Sequence, residues 1–220
     1  MTQDKIKHHL TDPLLMAYSA GTLPEAFSLA VAAHISMCDE CRARLGAFDT
    51  VGGALMEHCD EAEMAEDSLD TTLGLIDLAE TRPAAPVASA PRGDGLLPAP
   101  VRAYVGGDLD AVRWRPVGMG VKQAILPTQG GATARLLYIP AGAAVPDHGH
   151  NGTELTLVLR GAFEDEVDHF GPGDIEVANE DLDHTPIADI GEDCNCLAAT
   201  DAPLRFNSWL PRIAQPFLRI

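Results

Sequence analysis

Between residues 81 and 100 the chain reads Thr-Arg-Pro-Ala-Ala-Pro-Val-Ala-Ser-Ala-Pro-Arg-Gly-Asp-Gly-Leu-Leu-Pro-Ala-Pro. Twelve of these twenty residues are Pro, Ala or Gly, and neither a helical nor a strand period survives among them. A stretch of this composition is a semi-extended linker. It divides the chain into residues 1–80 and residues 101–220, a number that suits one to two domains. The two parts differ in character. Residues 1–80 hold four basic and fifteen acidic residues, and residues 101–220 hold nine and seventeen. No internal repeat relates them.

The charge narrows the range of partners. A formal net charge of −18 opposes binding to a phosphate backbone. Aromatic residues make up 5% of the chain, too few for a base-stacking platform. Direct nucleic-acid binding is therefore not expected. No apolar run reaches the roughly 18–20 residues of a membrane span. The opening Met-Thr-Gln-Asp-Lys leads into neither an apolar core nor a cleavage site, so no signal peptide is expected, and the expected compartment is the cytoplasm. In a reducing compartment the five cysteines read as metal ligands, redox thiols or core residues rather than a disulfide framework.

Residues 1–80 read as helical. Thr11-Asp12-Pro13 is a start signal, followed by Leu14, Leu15 and Tyr18 and stopped by Gly21. Leu23-Pro24-Glu25 starts a second helix carrying Phe27, Ala30, Val31 and His34. A third carries Leu45, Phe48, Val51 and Leu55 at helical spacing, and Asp67-Ser68 caps a fourth with Leu69, Leu73 and Ile76 on its apolar side. A helical domain this small needs a staple.

His34-Ile-Ser-Met-Cys38-Asp-Glu-Cys41 offers one. On one continuous helix, at about 100° per residue, the three side chains fall within about a 60° arc and can face one ion. Two thiolates and an imidazole favour zinc. His9 is the preferred fourth ligand, with His8 close behind and His58 and Cys59 more distant. His-x3-Cys-x2-Cys with an upstream His among short helices resembles the zinc-binding domain of bacterial anti-sigma factors. That resemblance implies a domain that clamps an alternative sigma factor of the extracytoplasmic-function type. The acidic surface of residues 1–80 suits a basic partner of that kind.

Residues 101–220 read as β-rich. Glu154-Leu-Thr-Leu-Val-Leu-Arg160 alternates, with Leu155, Leu157 and Leu159 on one face and Glu154, Thr156 and Val158 on the other. Short apolar runs at 134–139, 174–178 and 194–198, separated by Gly and Pro, suggest an antiparallel barrel or sandwich. Gly142-x5-His148-x-His150-x3-Glu154-x6-Gly161 is similar to the first cupin motif at every defining position. His148 and His150 lie two apart and so point the same way on a strand. Gly173-x10-His184 resembles the second motif, which supplies the last ligand, although Asn179, Asp181 and Ala188 replace its usual inner and closing residues. Three imidazoles and a carboxylate accept zinc, iron, manganese, nickel or copper.

The combination of an N-terminal zinc domain, a short linker and a C-terminal cupin resembles the ChrR family of anti-sigma factors over nearly the whole chain, including Ala199-Thr-Asp-Ala-Pro-Leu-Arg-Phe-Asn-Ser208. The implied fold is multidomain, an all-α zinc-bound domain (1–80) followed by an all-β cupin barrel (101–220). The implied activity is sigma-factor inhibition, relieved by an oxidative signal of the singlet-oxygen type through the metal-bound cupin, with no enzymatic role. Cys194 and Cys196, two apart in a strand, are possible redox thiols, although a disulfide between them would be strained. The alternatives are an oxygenase-like cupin metalloenzyme and a small-molecule-sensing cupin, each with an accessory helical domain.

Overall fold

The computed structural model describes residues 6–80, 95–207 and 215. The expected linker thus lies mostly outside the described residues, at 81–94. Five α-helices are described: α1 (Asp12–Ser19), α2 (Glu25–Met37), α3 (Asp39–Met56), α4 (Ser68–Glu80) and α5 (Ala99–Val105). The strands are β1 (Arg115–Gly118), β2 (Val121–Ile125), β3 (Thr133–Ile139), β4 (His148–Gly149), β5 (Glu154–Arg160), β6 (Phe163–Glu164), β7 (His169–Phe170), β8 (Ile175–Ala178), β9 (Asp183–His184), β10 (Ile187–Ala188), β11 (Cys194–Thr200) and β12 (Arg205–Phe206). α5 begins two residues ahead of the expected cupin boundary, with Leu97 and Val101 buried.

The strands form a six-stranded sheet in the order β1-β2-β3-β11-β5-β8 and two three-stranded sheets, β10-β6-β7 and β12-β4-β9. All their pairings are antiparallel. Inside the barrel, Val121, Ile139, Val158, Cys194 and Cys196 of the large sheet pack with Phe163, Phe170 and Ala188 of the smaller one. Phe163 and Phe170 stack with ring centroids 4.9 Å apart.

The outer face of the large sheet is buried as well. Leu136, Leu155, Leu157, Leu159, Ile175, Leu197 and Ala199 share one core with Leu10, Leu15, Phe27, Leu29, Ala30 and Val31 of the helical module. The agent is α2, which touches α1, α3 and α5 on one side and β3, β5 and β11 on the other. A helix covered on both sides must be apolar nearly all round, and seven residues of α2 are fully buried. At about 1.5–3 kcal/mol per buried leucine, four of the sheet leucines contribute on the order of 10 kcal/mol as an upper bound. That is comparable with the whole stability of a typical domain. Polar ties surround this interface: Tyr104 donates its hydroxyl to Glu25 (2.6 Å), and the Gln129 N–H donates to the same carboxylate (2.5 Å).

Two expectations are corrected. His34, Cys38 and Cys41 do not share one helix, because the chain turns at Cys38 (φ −108°, ψ 108°), which ends α2 and caps α3. The Cys41 N–H donates to Cys38 Sγ at 3.4 Å, so the thiol takes the place of the usual capping oxygen. The apolar stripe of α3 is also only half used. Leu45 and Phe48 pack on the core, whereas Val51 and Leu55 are exposed. α4 goes further, since none of its described side chains is buried.

Candidate functional site

Among the described residues, ligand-type side chains gather in two places. The first is His9, His34, Cys38 and Cys41, whose donor atoms all lie within 4.8 Å of one another. His9 Nδ1 is 3.3 Å from Cys38 Sγ and 3.6 Å from Cys41 Sγ. His34 donates from Nδ1 to the Gly173 carbonyl at 3.0 Å, which leaves Nε2 as its free donor atom. That nitrogen is buried and has no protein partner, an arrangement that costs free energy unless a ligand meets it. Burial lowers the His34 pKa to about 4, so the ring is neutral as coordination requires. Burial also raises the Cys41 thiol to about 11, which a bound cation would reverse. The set fits zinc.

Of the other expected donors, His8 turns toward the barrel. It meets Asp168 at 3.1 Å and lies over Phe170. His58 and Cys59 are exposed beyond the end of α3. Cys38 and Cys41 reach one point because one caps α3 and the other lies three residues into it. His9 reaches them from the arm before α1, and His34 from the last turn of α2.

The second group lies in the barrel. His148 and His184 face each other across the β4–β9 pair, and His184 Nε2 lies 3.2 Å from Nε2 of both His148 and His150. Three imidazole Nε2 atoms thus converge, all on buried rings. The Nδ1 atoms of His148 and His184 are held by other groups. That of His148 donates to the Pro146 carbonyl (2.9 Å), and that of His184 to Asp165 (2.7 Å), with Glu176 3.2 Å away. A histidine held this way presents Nε2 to a metal, and its carboxylate partner raises its basicity. The three nitrogens fit a divalent metal without selecting one. Glu154 is not in that close group. It lines the same cavity, of about 420 Å³, and accepts a hydrogen bond from Thr156 (3.0 Å).

Asp165 and Glu176 belong to no ligand motif in the sequence. Asp165 lies in a run of acidic residues that resembles a solvated turn, and its buried partner is distant in sequence. The available signal for Glu176 was one carboxylate within the short apolar strand Ile175–Ala178. Burial raises Glu176 to about 7. Burial opposes a proton on His184, but Glu176 and Asp165 outweigh it and raise that ring to about 9. Without an ion, the cluster therefore holds a proton on His184.

Cys194 and Cys196 are both buried, with sulfurs 3.4 Å apart. Cys196 lines the cavity beside His148 and His184. Hydrogen bonding to Cys194, with burial, pushes the Cys196 thiol well up, so Cys196 is a thiol at neutral pH.

Together these features define a class: a small helical module with a His/Cys ligand set, carried on a cupin barrel with a histidine triad. Residues 103–202 match the family model described as the ChrR cupin-like domain. The chain is 61% identical over 215 residues to the anti-sigma-E factor ChrR of Cereibacter sphaeroides, covering 98% of this chain and 99% of that one. It belongs to the ChrR family of anti-sigma factors. The solved structure of Rhodobacter sphaeroides SigE in complex with the anti-sigma ChrR matches with a TM-score of 0.79 and 56% identity, over 90% of this chain and 100% of the matched chain. KdgF from Halomonas sp., at 22% identity and a TM-score of 0.39 over 43% of this chain and 90% of its own, is too distant to bear on function. Among the described residues, no helix is long and apolar enough to cross a membrane.

Proposed function

We propose that this chain binds and inhibits an alternative sigma factor of the extracytoplasmic-function type in the cytoplasm, and that an oxidative signal of the singlet-oxygen type ends the inhibition through the metal-bound barrel. The observation that carries this reading is the near full-length identity with an anti-sigma-E factor. The surface supports it. Val51, Leu55, Met56, Leu69, Leu73 and Ile76 are all at least half exposed along the end of α3 and α4. An exposed apolar surface this extensive marks an interaction site. Its acidic setting attracts a basic partner and speeds association.

Within this reading, residues 1–80 form the inhibitory domain, residues 81–100 the linker and residues 101–220 the sensing domain. Zinc held by His9, His34, Cys38 and Cys41 supplies folding energy to the first. The barrel metal, zinc or another divalent ion, is held by His148, His150 and His184, with Glu154 at the cavity wall as the further ligand. Cys194 and Cys196 are the redox candidates beside it. A signal releases the partner only if it changes the relative free energies of bound and free states. Shifting the complex from 99% bound to 99% free takes about 5.5 kcal/mol, a size that disruption of a buried metal site can reach.

The test has two arms. The full chain, tagged and purified from its own cells, should bring down a sigma factor and block transcription from that factor's promoter in vitro. In cells, chains with His148→Ala or His184→Ala should still inhibit but no longer respond to a singlet-oxygen generator. No sigma factor in the complex, or normal induction in both variants, would overturn the corresponding half.

A further inference from the structure

We infer that the barrel builds part of the helical module's metal site, and that Asp174 is its positioning residue. This rests on the reading of His9, His34, Cys38 and Cys41 as metal ligands. Two of those four ligands are held by one short barrel segment, Gly173–Ile175, at the entry to β8. His34 is oriented by the Gly173 carbonyl, through the Nδ1 hydrogen bond that leaves Nε2 facing the other ligands. His9 is held through the arm that precedes it. Asp174 Oδ1 accepts from the N–H groups of Lys7 (2.6 Å) and His8 (2.9 Å), and the Ile175 N–H donates back to the His8 carbonyl (3.3 Å).

The other Asp174 oxygen accepts from the Gly171 N–H at 2.9 Å, which fixes the turn carrying the Gly173 carbonyl. Asp174 is 5% exposed as a residue, so these bonds are shielded from competing water. Gly173 has φ +90°, and a Cβ there would come within 2.6 Å of Ile6 Cδ1. The arm therefore lies directly against the turn. A single buried carboxylate thus sets the arm bearing His9 and the carbonyl that orients His34, and that carboxylate and that carbonyl belong to the other half of the chain from the four ligands. Outer groups that orient metal ligands are the lever by which a protein tunes a site.

The test uses the full-length chain and two substitutions, Asp174→Ala and Asp174→Asn. Zinc affinity is measured by competition with a metallochromic chelator, and cobalt is then substituted for zinc to read its thiolate charge-transfer and d–d bands. Asp174→Ala is expected to weaken zinc binding by about 10–100-fold and to shift the cobalt bands in protein that remains folded. Asp174→Asn keeps one acceptor oxygen and should fall between it and the unsubstituted chain. A purely structural role would lower the melting temperature and leave the cobalt bands of the folded protein unmoved. Zinc affinity within about twofold of the unsubstituted chain in both variants would overturn the inference. Should Asp174→Ala fail to fold, Asp174→Asn decides alone, a loss of about threefold or more supporting the inference and a smaller one overturning it. A Cys38→Ser, Cys41→Ser chain that loses no zinc equivalent would instead overturn the metal-site reading itself.

Discussion

Acid should destabilise the metal-free protein through His34. The ring is buried between α2 and the barrel turn, and burial holds its pKa at about 4 against an ordinary 6.5. The unfolded chain therefore takes up a proton on this residue at a pH where the folded chain does not. A folded-state pKa below the unfolded one makes stability rise with pH. The contribution is fully present above pH 6.5 and is lost as pH falls from 6.5 to about 4. At about 1.36 kcal/mol per pKa unit, it amounts to about 3 kcal/mol. The assay is urea unfolding of chelator-treated full-length protein at a series of pH values, alongside His34→Asn, which keeps a donor for the Gly173 carbonyl but does not titrate. The stability difference between the two chains should shrink by about 3 kcal/mol between pH 7 and pH 4. A difference that stays constant across that window would refute the burial argument.

The two metal sites should be independent in stoichiometry. Cys38→Ser with Cys41→Ser should remove one equivalent by elemental analysis, and His148→Ala with Glu154→Ala the other. Metal uptake at the barrel site should expel the proton held on His184 by Glu176 and Asp165, so affinity should rise with pH up to about 9; calorimetry in buffers of different ionisation enthalpy counts the proton. Leu157→Ala, at a fully buried position under α2, should cost about 2–5 kcal/mol and lower the urea midpoint read from helix and sheet alike. Leu73→Asp with Ile76→Asp should leave stability within about 0.5 kcal/mol, because both side chains are half exposed, yet abolish binding of the sigma factor in a pull-down.

The ligand motifs were legible because coordination chemistry fixes short spacings: two histidines two apart on a strand, two cysteines three apart at a helix start. The alternation of β5 was equally plain, and Leu155 and Leu157 do lie opposite Thr156 and Val158. The break at Cys38 was hidden, since its cause is a thiol acting as a helix cap and no Gly or Pro marks it. The partners of His184 were hidden because Asp165 reaches it from the turn between β6 and β7 and Glu176 from β8. Nothing local announced that α2 would be covered on both sides either. Its sequence, Glu-Ala-Phe-Ser-Leu-Ala-Val-Ala-Ala-His-Ile-Ser-Met, keeps Glu25, Ser28 and Ser36 on one narrow side and is apolar around most of the rest, a pattern that shows in retrospect why two layers enclose it. The exposed stripes of α3 and α4 carried the same spacing as core stripes, and periodicity alone does not say whether the cover comes from within the chain.

The doubly covered sheet also limits how freely the two halves can be exchanged between relatives. A barrel transplanted from another protein would bring its own outer face, in place of the Leu136, Leu157 and Leu197 that share a core with Phe27, Ala30 and Val31. Chimeras joined within residues 81–94 should therefore fold well only when α2 and the faces of β3, β5 and β11 come from the same parent. The peptide between the halves can drift in length and composition, while the two surfaces must change together, residue against residue.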